Sequence, residues 1–131
     1  MSNVTSIRFV FRAGNHPVMG IVKHKLTVNL AENMVIQSVF PFVGNRISYR
    51  YPVDSKVIKD FFDYALNTIK LEEFEGQSHE NFDKRQHYKI SLLHDDGSVQ
   101  VIEGVDKPSF ADDLVERLNK LVDYRERIFI F

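Results

Sequence analysis

The stretch RISYRYPVDSKVIKDFFDYALNTI, residues 46–69, changes its hydrophobic period in the middle, and that change decides the fold class. Before Pro52, Ile47, Tyr49 and Tyr51 alternate with Arg46, Ser48 and Arg50, the period of two expected of a strand with one buried face. After it, Val57, Ile58, Phe61, Phe62, Ala65, Leu66 and Ile69 recur at helical spacing and lay a broad apolar stripe along one side of a helix. Asp54 precedes the stripe, placed to accept from the free backbone donors of the first turn, and Val53 is placed to pack on Ile58 as a hydrophobic staple. A helix striped in this way needs a flat apolar partner, so the junction predicts a helix laid across a sheet.

Upstream, the period of two recurs three times. In SIRFVFR (6–12), Ile7, Phe9 and Phe11 alternate with Arg8, Val10 and Arg12. In VKHKLTVNL (22–30), Val22, His24, Leu26, Val28 and Leu30 take one side and Lys23, Lys25, Thr27 and Asn29 the other. MVIQSVF (34–40) follows after Ala31-Glu32-Asn33, which has the length and chemistry of a hairpin loop. Four consecutive strands with short connections predict an antiparallel meander.

Downstream, HYKISLLHDDGSVQVIEG (87–104) reads as a hairpin folded at Asp96-Gly97. A two-residue turn there pairs Leu92 with Val101 and His94 with Val99, collecting Tyr88, Ile90, Leu92, Val99 and Val101 on one face. A three-residue turn at Asp95-Asp96-Gly97 is also allowed, but it pairs Leu92 with Gln100 and mixes apolar with polar side chains. The first register is expected, because a slip of one residue sends the apolar set to solvent. VDKPSFADDLVERLNKLV (105–122) then repeats Phe110, Leu114, Leu118 and Leu121 at helical spacing, with Asp106 or Ser109 as the expected cap and Asp112 and Asp113 in the first turn. The closing IFIF, Ile128 to Phe131, is expected to add a short strand or to dock as a tail, since four apolar residues left in water invite aggregation. The connection 72–86, EEFEGQSHENFDKRQ, has no period of its own and reads as a long loop.

The order ββββαββα predicts one α+β domain, a two-layer sandwich whose mainly antiparallel sheet carries both helices on one face. The other face then presents Arg8, Arg12, Lys23, Lys25, Arg46 and Arg50, which makes it the candidate binding surface. Charge is unevenly spread in the same sense: residues 1–65 hold eight Lys/Arg against four acids, and residues 66–131 hold nine against fourteen, for a net charge of −1. A second candidate is a pocket between helices and sheet, lined by His24, Tyr49, Tyr51 and His94.

Motifs for chemistry are sparse. The five histidines, at 16, 24, 79, 87 and 94, lack metal-ligand spacing, and His94-Asp95-Asp96 has the residues a hairpin turn prefers. No nucleophile elbow, phosphate loop or dinucleotide fingerprint occurs, Asp60 and Asp63 read as helix-surface partners of Lys56 and Lys59, and neither catalytic residue, metal nor cofactor is expected. The chain therefore reads as a non-enzymatic interaction protein with a protein partner or a second copy of itself as its target. A small-ligand carrier or small enzyme is the alternative; nucleic-acid binding on the basic face ranks third, because most aromatics fall on the inward alternation. With no cysteine, no leader-like start and no run of roughly 20 apolar residues, a cytoplasmic protein without a membrane span is expected.

Overall fold

The computed structural model describes residues 3–12, 21–41, 43–69, 87–104 and 109–121. They form strands β1 (Val4–Arg12), β2 (Ile21–Asn29), β3 (Met34–Pro41) and β4 (Ile47–Pro52), helix α1 (Ser55–Thr68), strands β5 (His87–His94) and β6 (Val99–Gly104), and helix α2 (Ala111–Leu121). The six strands make one antiparallel sheet in the order β4-β3-β2-β1-β5-β6. The meander therefore grows outward from β1, and the later hairpin joins the opposite edge of that same strand.

The alternation places apolar side chains at the inward positions of the central strands, with His24 as the exception. Ile7, Phe9 and Phe11 lie opposite Val28, Leu26 and His24 on β2 and opposite Leu92, Ile90 and Tyr88 on β5. Those apolar residues form a single buried cluster with Ile58, Phe61, Phe62 and Ala65 of α1 and Phe110, Leu114 and Leu118 of α2. Both helices thus cover the same face of the sheet, and they also meet each other, with the Arg117 guanidinium 4.1 Å from the Tyr64 ring centre. Each fully buried Leu or Phe side chain contributes on the order of 2 kcal/mol by leaving water, so this one layer is what holds the fold.

Local capping follows the sequence at α1. The Asp54 carboxylate accepts from the Lys56 backbone N–H at 2.9 Å, and Val53 packs against the core cluster. Val57 and Leu66, at the two margins of the stripe, remain nearly half exposed. At α2 the first helical hydrogen bond runs from the Leu114 N–H to the Phe110 carbonyl. Ser109 and Phe110 immediately precede the first helical residue, Ala111, while Asp106 lies outside the described residues.

The β5–β6 register departs from expectation. Ser91 faces Val101, Leu92 faces Gln100 and Leu93 faces Val99. The cause is the turn. The Gly97 N–H donates to the His94 carbonyl (3.1 Å), the His94 N–H donates to the Ser98 carbonyl (2.9 Å), and Gly97 takes φ +88°. A two-residue turn of the primed type needs positive φ at Asp96 as well, but Asn33 is the one non-glycine residue with positive φ among those described. Asp96 instead uses its carboxylate to accept from both the backbone N–H (2.9 Å) and the hydroxyl (2.6 Å) of Ser98, which holds that carboxyl below its ordinary pKa. Val99 and Val101, expected inside, are accordingly 53% and 49% exposed, and Ile102 packs against the core in their place. The connection 72–86 and the IFIF terminus lie outside the described residues. No helix among those described is long and apolar enough to cross a membrane.

Candidate functional site: the open sheet face

The face away from the helices is built by the same alternation that builds the core. Its cross-strand rows read Arg50–Ile36–Thr27–Arg8–Ser91–Val101, then Ser48–Ser38–Lys25–Val10–Lys89–Glu103, then Phe40–Lys23–Arg12–His87. All six basic residues singled out from the sequence belong to this face, Arg46 reaching it from just ahead of β4. Lys89 is a seventh that sequence reasoning missed. Its outward position was readable from alternation, but its place beside Val10 depended on β5 pairing with β1.

The one acid in these rows is Glu103, directly opposite Lys89. Among the described residues no ion pair joins any of the seven to a carboxylate. Glu103, at the β6 edge, is instead 3.3 Å from the His87 ring nitrogen. Partial burial depresses the Lys23 and Lys25 ammonium pKa, and the positive charges around each add to it: Arg12, Lys25, Lys89 and Arg8 for Lys23, and Arg8, Arg46 and Lys89 for Lys25. His87 is likewise pushed down, first by burial and then by Arg12 and Lys89, while Glu103 pulls it up. Val10 lies on this face yet is buried, flanked in register by Lys25 and Lys89, whose methylene stems provide apolar cover. The half-buried ring of Phe40 is also engaged, with Lys23 Nζ 4.9 Å and Arg46 Cζ 5.9 Å from its centre.

At the centre of the face Arg8 is held in a defined direction. It stands between Thr27 and Ser91, both buried, and its Nε donates to Thr27 Oγ1 at 3.2 Å. Beside it the surface dips into a depression of about 370 Å³, whose polar rim includes Ser6, Arg8, Lys25, Thr27, Asn29 and Ser38.

The second candidate set does not assemble. His24, Tyr49 and Tyr51 share the inner face near the β4 edge, where the two tyrosine rings stack at 6.2 Å between centres. His94 stands on β5, four strand spacings from β4, about 19 Å at ordinary strand separation. His24 itself is a core histidine, 1% exposed, with its Nε2 2.6 Å from the Gln37 amide nitrogen. With that amide as donor, Nε2 accepts and the ring is neutral; burial lowers its pKa to about 4. His16 and His79 lie outside the described residues, and among those described no group of three His, Asp or Glu side chains is arranged to hold a metal. The chain matches no protein-family model and no curated protein.

Proposed function

We propose that this chain is a binding module whose open sheet face docks an acidic surface of a protein partner. The observation that carries the reading is the gathering of seven cations on one face of the sheet, none of them in an ion pair among the described residues, at the expense of their mutual repulsion and of partial desolvation. Charges so placed are stabilised when a partner brings the opposite sign, and they steer its approach over several ångströms.

Two features favour a protein over a nucleic acid. Among the described residues the aromatic ring on this face is Phe40, and it already carries two cations, which removes a bare stacking platform of the kind unpaired bases use. The cationic field also borders an apolar strip, Leu93, Val99 and Val101, of the kind that fits the mixed surface of a folded protein.

The test is anisotropy titration of labelled poly-glutamate against a single-stranded oligonucleotide of equal charge, each across a salt series. Poly-glutamate should bind the wild type and lose that binding in the triple variant Arg12→Glu, Lys23→Glu, Arg46→Glu. Reversing Lys56 and Lys59 on α1 should leave it intact. Unchanged affinity in the sheet-face variant, or tighter and more salt-sensitive binding to the oligonucleotide, overturns the reading.

A further inference from the structure

Resting on the docking face just described, we propose that the depression beside Arg8 and Lys25 binds a phosphoryl group carried on a partner's side chain. Three observations converge on this chemistry. The first is the direction of Arg8. Its Nε is engaged by Thr27 Oγ1, which leaves the two terminal guanidinium nitrogens free as a fork, and a fork held in place suits the paired oxygens of a carboxylate or phosphate. Because Thr27 Oγ1 accepts from Arg8, its own hydroxyl proton remains available to a ligand.

The second observation is charge. Arg8 faces Thr27 in register, and Lys25 is the next outward residue on β2, so the two cations are diagonal neighbours about 7–8 Å apart at their origins. Two long side chains from those origins can meet on one anion. A phosphomonoester carries about −1.5 to −2 at neutral pH, which matches the pair, whereas a carboxylate leaves one cation uncompensated. The third is donor number. Ser6, Thr27 and Asn29 add neutral donors to the two cationic ones around the same depression, with Ser38, whose hydroxyl meets that of Ser48 at 3.0 Å, beside them; this is more than the two oxygens of a carboxylate require and well suited to three phosphoryl oxygens. Ile36 and Leu93 line its apolar sides, where the carrier's side-chain carbons and backbone would rest, and about 370 Å³ is more room than a bare phosphate fills.

The experiment is calorimetric titration with a short phosphoserine peptide, its serine and glutamate counterparts, and inorganic phosphate, alongside poly-glutamate and the oligonucleotide. The phosphopeptide should bind at least about tenfold tighter than either counterpart, and Arg8→Gln should lower that affinity about tenfold or more, the loss of a charge-assisted fork. Thr27→Val, which removes only the group that aims Arg8, should lower it by a smaller factor, and Lys59→Gln on α1 should not change it. Amide shifts of the wild type on adding phosphopeptide give a readout independent of any variant, and they should centre on residues 6, 8, 25, 27 and 38. Equal binding of the three peptides, or shifts centred elsewhere, overturns the proposal. If poly-glutamate still binds while phosphorylation makes no difference, the docking face stands and the phosphoryl site falls; if neither poly-glutamate nor phosphopeptide binds, both fall. Oligonucleotide binding that displaces the phosphopeptide and exceeds it in affinity assigns the depression to a nucleic-acid phosphate and overturns the protein-borne source.

Discussion

Acidification should destabilise this fold through His24 in particular. In the unfolded chain its imidazole titrates near 6.5, whereas in the fold burial lowers the pKa to about 4. The unfolded state therefore binds the proton first on the way down in pH. Stability from this source is full above about pH 6.5, falls as the pH drops from there to about 4, and levels off once the folded imidazole is also protonated. At about 1.4 kcal/mol per pH unit, the gap between the two values corresponds to about 3 kcal/mol, a large part of the stability of an ordinary domain. The assay is urea unfolding from pH 7.5 to 4 of the wild type and of His24→Gln, which keeps an amide able to meet Gln37 while removing the titration. His87 and the carboxylates contribute to both proteins, so subtraction isolates His24. The wild type should lose about 3 kcal/mol more than the variant across that range. A difference below about 1 kcal/mol, or a His24 ring signal titrating near 6.5 in the folded protein, would refute the reasoning.

Other consequences are testable in the same preparations. Ile102→Ala should cost about 1–3 kcal/mol and Val101→Ala less than about 0.5, since Ile102 packs against the core and Val101 lies open; the reverse order in urea unfolding restores the two-residue turn. Gly97→Ala should cost about 1–2 kcal/mol from backbone conformation alone, because φ is +88° and no atom lies within 4 Å of the added methyl; unchanged stability rules out that backbone. Arg12→Gln should raise the Lys23 ammonium pKa, read by NMR of its Nζ, because one of the positive charges that lower it is gone. Glu103→Gln should lower the His87 pKa further, by removing the one neighbour that raises it.

Much of this architecture was legible because each element shows a clean period and has one apolar side. Phe61 and Phe62 announce α1, Ile7, Phe9 and Phe11 announce β1, and a sheet with one apolar face forces both helices onto it. The β5–β6 register was not legible. Asp95, Asp96 and Gly97 permit two turns, and at an edge strand the burial that normally decides between them is weak, so the local bonds of Asp96 to Ser98 prevailed. The basic face could be read residue by residue from alternation, but not its geometry. That Arg8 lies against Thr27, and that Lys89 joins the cluster, depends on β1 pairing with both β2 and β5, partners 19 and 83 positions away in sequence at Arg8. The expected pocket did not assemble for the same reason: the order of strands puts His94 across the sheet from Tyr49 and Tyr51.

The seating of β1 between two separately formed pieces has a consequence for how the protein is made. The four-strand meander and the β5–β6 hairpin can each form from neighbours in the chain, whereas the β1–β5 seam joins residues as distant as Val4 and His94 and carries the largest chain-closure cost of the strand pairings. Until β5 leaves the ribosome, the strand bearing Phe9 and Phe11 has one raw backbone edge, the most adhesive surface a nascent sheet can display. Slow translation at any point after β1 has emerged and before β5 does prolongs that exposure, so the yield of native protein should fall when slow codons are placed in that interval.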